Sequence, residues 1–292
     1  MALDRRDFIV KSSTFGVGLA LSPSLIQQAK RDYRSITILH TNDTHSQIDP
    51  FPDNHKYHAQ KGGVVNRAKM VEKIRQEVPN ALLLDAGDVF QGMQVMQTMG
   101  YDAMTMGNHD FDIGIDGFEK AYRANASFPI ISSNYDFTDT SIGDLVLPFK
   151  IFERNEIRIG VFGLGIELKG LVSKAMYGDI RYNDPIAAAT RYTKLLKKEL
   201  KCDLVICLSH LGYKYDTEKV SDRILAQTVE GIDLIIGGHT HTFLSKPELI
   251  TREKSGATLV NQVGFGGINL GRIDFVLEDK KVKNKTRLVA ID

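Results

Sequence analysis

Short, unbroken apolar runs recur along this chain of 292 residues, and stretches with helically spaced apolar positions separate them. A strand with no polar alternation must be covered on both faces. This pattern therefore confines the chain to sheet buried between helical layers. SITILHT (35–41), ALLLDAG (81–87), DAMTMGN (102–108), PIISSN (129–134), IRIGVFGLG (157–165), DLVICLSH (203–210) and DLIIGGH (233–239) read as the strands. Residues 64–78, 113–124, 185–200 and 216–229 read as helices, with Pro185 in the first turn of the third. The tail differs: residues 257–262, 269–277 and 286–291 read as antiparallel strands with a charged turn, EDKKVKNK. With no repeat, low-complexity stretch or linker, one domain over residues 30–292 is the expectation.

Thirty-seven Lys and Arg stand against 36 Asp and Glu, which argues against a basic nucleic-acid footprint. Aromatic residues make up 8% of the chain and Trp is absent, so no ring-rich stacking platform is expected. Cys202 and Cys207 lie five apart on an expected strand and should face opposite sides, which disfavours a mutual disulfide.

The N-terminus reads as a separate segment. Arg5 and Arg6, then Phe8 and Lys11, precede a short apolar run from Phe15 to Ile26 that is too short to span a bilayer. Twin arginines before such a run resemble a twin-arginine export signal over residues 1–29, although Asp4 replaces the usual Ser or Thr. An exported, periplasmic or extracytoplasmic protein is the expectation, and a cytosolic N-terminal helix is the alternative. Removing residues 1–29 takes three basic and two acidic residues and leaves 34 of each sign.

The informative residues follow the strands, where open α/β sheets hold their ligands. They are Asp43 and His45; Asp85 and Asp88; Asn108, His109, Asp110 and Asp112; His210; and His239 and His241. Each cluster alone reads as a solvated loop, turn or cap. Jointly they supply oxygen and imidazole donors without Cys, which suits borderline divalent metals, and they should converge on one sheet edge.

In this order and spacing, LHTNDTH, GDVFQG, YDAMTMGNHDFD and GGHTH resemble the calcineurin-like metallophosphoesterase family, and within it the 5′-nucleotidase and 2′,3′-cyclic phosphodiesterase branch. The resemblance covers residues 35–292. It implies an α/β fold, the four-layer α/β/β/α metallophosphoesterase sandwich, and two divalent ions (Mn, Zn, Fe or Co). Asp43, His45, Asp88 and His241 would hold one ion. Asp88, Asn108, His210 and His239 would hold the other, with Asp88 bridging. His109 would be the catalytic histidine, oriented by Asp112, and Asn108 and His109 would also contact substrate. His241 stands where the branch often carries Gln, and Asp110 where it usually carries Glu. The implied activity is hydrolysis of phosphate esters, above all nucleotide 5′-phosphates, by a metal-bridged hydroxide.

Relatives of this kind carry a C-terminal domain that stacks the nucleobase, so either a separately encoded chain supplies it or substrate is selected otherwise. The expected partner is a small-molecule phosphate ester, with neither nucleic acid nor a stable membrane span. Two other readings compete: a thiosulfohydrolase-like sulfur-oxidation enzyme, and a non-catalytic module that binds phosphate or a partner. Ser133–Tyr135 and the loop 264–267 are candidate substrate contacts. His40 reads as a buried structural residue, and His55 and His58 as a solvated loop, FPDNHKYHAQKGG. Gly62 and Gly63 read as the turn leading into a helix, and Met93, Met96, Met99, Met104 and Met106 as core filler.

Overall fold

The computed structural model describes residues 34–89, 92–253, 256–278 and 281–291. The export-signal reading of residues 1–29 lies outside them. In chain order the elements are β1 (Arg34–Thr41), α1 (Val64–Glu77), β2 (Leu82–Asp85), α2 (Met93–Met99), β3 (Ala103–Met104), α3 (Gly114–Asn125), β4 (Ile130–Ile131), β5 (Tyr135–Asp136), β6 (Val146–Leu147), β7 (Phe149–Arg154) and β8 (Ile157–Leu164). There follow α4 (Lys174–Tyr177), β9 (Arg181–Tyr182), α5 (Pro185–Lys194), β10 (Leu204–Ser209), α6 (Asp222–Thr228), β11 (Leu234–Gly237), β12 (Glu248–Thr251), β13 (Ala257–Asn261), β14 (Asn269–Glu278) and β15 (Lys281–Ala290).

Among the described residues these strands make a seven-stranded sheet, β15-β14-β1-β2-β3-β4-β6, a six-stranded sheet, β12-β13-β11-β10-β8-β7, and the short pair β5-β9. Side-chain alternation sorts each central strand into two faces. Ile36, Ile38, Leu82 and Leu84 of the first sheet meet Ile159, Val161, Ile206 and Ile236 of the second in one buried cluster. On the far face of the first sheet, Leu39 and Leu83 pack under Val71, Met93, Met96 and Phe118 of the helices. On the far face of the second, Val205 and Ile235 pack with Ala189 and Leu225 of α5 and α6. Three apolar interfaces between four layers give the expected α/β/β/α sandwich. Each fully buried Leu or Ile contributes about 1.5–3 kcal/mol.

Helix limits follow local chemistry. Asp184 caps α5 by accepting the Ile186 N–H at 2.8 Å, with Pro185 in the first turn, a cap worth about 1 kcal/mol. Its last turn widens over 195–199, where the Leu200 N–H reaches the Leu195 carbonyl. The helix expected over 216–229 starts later, at Asp222, because Ser221 accepts the Ile224 N–H and sets the boundary. Gly63 caps α1, as a helix-leading turn should.

The tail departs from expectation. β13 pairs in parallel with β11, in the second sheet, whereas β14 pairs antiparallel with β1 in the first. The charged stretch EDKKVKNK is not a loop, since β15 starts at Lys281 and pairs Lys281 with Glu278. DAMTMGN and PIISSN shrink to two-residue strands. Cys202 and Cys207 are free, as expected, but both pack in the outer cluster of the second sheet because Cys202 precedes β10. The five methionines are buried, and His40 is buried and accepts from Asn261 Nδ2 at 2.8 Å. Among the described residues no helix is long and apolar enough to cross a membrane.

Candidate metal centre

Three loops leave the first sheet at one level, because Thr41 pairs with Asp85 and Asp85 with Met104. Two more leave the second sheet level with each other, where Ser209 pairs with Gly237. The donors therefore converge from two facing sheets rather than from one sheet edge. Two backbone hydrogen bonds clamp the first pair of loops: Asp43 N–H to the Gly87 carbonyl and His45 N–H to the Asp88 carbonyl, both 3.0 Å.

The loops turn sharply. Asp43, His45, Asp88, His239 and His241 all hold positive φ, between 45° and 72°. Asp and His tolerate this region better than most residues, yet each such backbone costs about 1 kcal/mol or more. The turns bring short polar side chains back over the strand ends.

Two groups of donors result, Asp43 with His45 and His241, and Asp88 with His210 and His239. In the first, His45 Nε2 and His241 Nε2 lie 2.9 Å apart, and Asp43 Oδ1 is 3.9 and 3.4 Å from them. In the second, His210 Nε2 lies 3.0 Å from Asp88 Oδ2, and His239 Nδ1 is 2.9 Å from Asn108 Oδ1. Asp88 Oδ2 is also 4.0 Å from His45 Nε2, so this carboxylate stands between the groups. His210 donates Nδ1–H to the Ala86 carbonyl at 2.7 Å, which aims its buried Nε2, an atom without a hydrogen-bond partner, at the Asp88 carboxylate. Ring nitrogens facing carboxylate oxygens, one of them an orphaned buried atom, fit divalent cations well.

Electrostatics separate the imidazoles: without metal the carboxylates hold His210 toward its charged form, whereas His239 and His45 are pushed toward the neutral form. Burial pushes the Asp88 carboxyl up, but the charge and contact of His210 overcome it and hold the group below the usual carboxylate range. Burial lowers His210, and the Asp88 and Asp43 charges reverse this and raise it. Burial and the nearby His210 lower His239 to about 4, and burial lowers His45. A neutral imidazole is the form that ligates metal.

Beside these groups His109 Nδ1 lies 2.9 Å from Asp112 Oδ2. Their side chains are 48% and 45% exposed, whereas Asp43 and Asp88 are buried. Burial lowers the His109 imidazole, but the Asp112 hydrogen bond and the Asp88 charge outweigh it, for a net rise. The nine residues given metal or catalytic roles are therefore neighbours, whereas Asp85 is buried below them, accepting from Thr41 and the Gly87 N–H.

Supporting residues complete the site; Asp110 was visible in its motif, whereas Asn42 and Gln262 had no signal of their own. Asp110 is buried and its carboxylate accepts the N–H groups of Asp88 (3.0 Å), Val89 (3.0 Å) and Gly107 (2.8 Å), tying two donor loops together. Asn42 donates to Asp43 Oδ2 (2.6 Å) and to the Gly264 carbonyl (2.6 Å). Gln262 accepts from the Thr242 N–H and donates to the Gly238 carbonyl, which shapes the GGHTH turn. Only adjacency to a motif could have signalled Asn42 and Gln262.

The polar groups expected to meet substrate at Ser133–Tyr135 are engaged within the fold, Ser133 Oγ donating to the Pro148 carbonyl. Asn134 is buried with both amide ends on Gly165, and Tyr135 is buried with its hydroxyl donating to the Ile166 carbonyl. His55 and His58 are not simply solvated: they join a group of rings with Phe51, Phe243 and Phe265.

Comparisons with known proteins agree with the geometry. The calcineurin-like phosphoesterase family model matches residues 36–243. The chain is 31% identical, over 85% of its length, to the Bacillus subtilis trifunctional nucleotide phosphoesterase protein YfkN, of which it covers 18%. It is 34% identical, over 90% of its length, to the Rattus norvegicus 5′-nucleotidase, of which it covers 50%. The crystal structure of a 5′-nucleotidase precursor from Thermus thermophilus matches 88% of this chain and 54% of its own, with a TM-score of 0.76 and 25% identity. The chain thus spans about half the length of the 5′-nucleotidases it matches.

Proposed function

The chain belongs to the calcineurin-like phosphoesterase family, and from that premise we propose that it is a metal-dependent phosphomonoesterase acting on nucleotide 5′-phosphates. The observation that carries this reading is the pair of donor groups with Asp88 between them and the His109–Asp112 pair alongside.

Asp43, His45 and His241 would hold one divalent ion and Asp88, Asn108, His210 and His239 the other, with Asp88 shared. Two such ions supply Lewis-acid activation of water and neutralise charge on the phosphoryl oxygens. The chain's own contribution is placement and proton handling. Its inner set carries two carboxylates, Asp43 and Asp88, against four neutral imidazoles and one amide. Two divalent ions would leave that set net positive and suited to a phosphate dianion. Asp112 holds His109 through Nδ1, so Nε2 is the atom free to give a proton to the departing alkoxide or to donate to a phosphoryl oxygen. Asn108 brings a neutral amide beside the same oxygens.

Metal-free protein titrated with Mn²⁺, Zn²⁺, Fe²⁺ and Co²⁺ against a phosphate-ester panel tests the reading. Release of phosphate from nucleoside 5′-monophosphates is the expected result. Silence with every metal would leave a binding module, and turnover of thiosulfonates alone would leave the sulfur enzyme.

Residues 1–29 belong to the proposal as a twin-arginine export signal, supported by Arg5 and Arg6 ahead of the short apolar run. Retention of an Arg5→Lys, Arg6→Lys chain in the cytoplasm would bear this out. For nucleoside selection the proposal keeps two readings, a separately encoded C-terminal-domain protein, whose capture during purification would support it, or selection by other means. The rings beside His241 give this domain a means of its own.

A further inference from the structure

We infer that a wall of aromatic rings beside the first donor group binds the leaving group of the substrate by stacking, so the preferred esters are those whose alcohol carries a flat nucleobase. This rests on the phosphomonoesterase reading and adds a substrate-selecting surface to it.

The rings run outward from the site without a break. His109 and His241 each meet the His45 ring, at 5.1 and 5.0 Å between centroids. The Phe265 ring then stacks on His241 at 5.1 Å and 22°. Around Phe265 stand Phe243 at 5.8 Å, His58 at 5.7 Å and Phe51 at 5.9 Å. His58 lies flat on Phe243 at 5.4 Å and 21°. Ring spacings of 5–6 Å of this kind are favourable packings. Phe243 is nonetheless 43% exposed, so the wall offers ring surface to a ligand.

The loop that carries Phe265 is built to admit these rings. Gly264 and Gly266 hold φ of +89° and +61°, and a methyl on either would run into the Phe243 ring or the Phe51 ring. The glycines let two rings lie directly on the loop backbone. Asn42 further ties Asp43 to this loop through the Gly264 carbonyl. The Gly266 N–H also donates to the Asp43 carbonyl at 2.7 Å, so the wall and the first donor group are linked through one loop. A phosphate held at the donors puts the alcohol it esterifies within one or two ring spacings of the wall. A base can stack there because every base presents a π-face, whereas a glycerol chain gains nothing from it.

The test compares AMP with glycerol 3-phosphate, using the full chain loaded with the best metal and the substitutions Phe243→Ala, His58→Ala and Phe243→Trp. The expected result is that each Ala change lowers the ratio of kcat/KM for AMP to that for glycerol 3-phosphate by about 10-fold or more. KM for AMP should carry the loss, and Phe243→Trp should restore the ratio. Saturation-transfer NMR with adenosine gives a second readout: the base protons should receive saturation from the wild-type protein and lose it with either Ala change. A purely structural wall would weaken both esters alike and leave the ratio unmoved, which overturns the inference while the hydrolase stands. Failure of the wild-type protein to turn over either ester overturns the hydrolase reading, and the inference falls with it.

Discussion

His45 Nε2 and His241 Nε2 face each other across 2.9 Å, from loops 196 residues apart. Two ring nitrogens this close, with Asp43 Oδ1 3.4 Å from one of them, make a pair that a cation between them relieves. Metal binding should therefore stabilise the fold. At a metal concentration 100 times Kd, linkage adds about 2.7 kcal/mol, which raises Tm by about 5–10 °C for a domain of this size. Calorimetry with and without chelator checks this, and Asp88→Ala should abolish the shift. A Tm indifferent to metal would remove the assignment.

His109→Ala should keep metal stoichiometry, read by elemental analysis, and lose about 10²–10⁴-fold in kcat with alkyl phosphates. The loss should shrink with p-nitrophenyl phosphate, whose phenolate leaves without a proton. Asp112→Asn should show the same leaving-group dependence with a smaller amplitude. Equal losses on good and poor leaving groups would mean that His109 does not act on the departing oxygen.

Asp110→Ala should destabilise the protein strongly, because it strips the acceptor from the amides of Asp88, Val89 and Gly107 at once. Each buried amide left unpaired costs about 1–3 kcal/mol. Denaturant unfolding measures this, and Asp110→Asn should fall between the two. Metal affinity should drop as well, since the Asp88 loop loses its tether. A variant as stable as wild type would show that water or a neighbouring group replaces the carboxylate.

Asp222 gives a pH prediction from beside the donor set, where His210 and Asp43 also act on it. It is buried under β10, accepts from Ser209 Oγ at 2.5 Å, and burial pushes its carboxyl up to about 8 from an ordinary value of 3.8. Between those values the folded chain holds a proton that the unfolded chain has released. Its contribution is therefore complete below pH 3.8 and is lost as the pH rises through about 8. In metal-free protein Asp222→Asn should flatten that decline, by on the order of a few kcal/mol at pH 8. Parallel stability curves for the two proteins would rule the carboxyl out as their cause.

The metal centre was legible from residue types at strand ends because each motif is short and local. Asp43 and His45, or His239 and His241, sit two apart, and a strand end needs only one turn to aim both inward. The loop 264–267 was singled out, but the ring wall around Phe265 was not legible. Phe51, His58, Phe243 and Phe265 are scattered over more than 200 positions, and a low aromatic content with no Trp argued against any stacking platform. Proximity brought together what composition counted as sparse. Asn134 and Tyr135 failed in the opposite sense: polar residues after a strand turned out to be consumed by Gly165 and Ile166.

Unbroken apolar runs and their polar endings determined a sandwich with ligands at the strand ends, because burial on two faces and turn chemistry act within a few residues. The tertiary structure alone decided which sheet each strand joins. β1 lies beside β14 across more than 230 residues, while β13, next to β14 in the chain, crosses to the other sheet. Such pairings depend on which distant faces exclude water together, and no local pattern encodes that. The same long-range packing set Asp88 between two groups of histidines and stacked Phe265 on one of them.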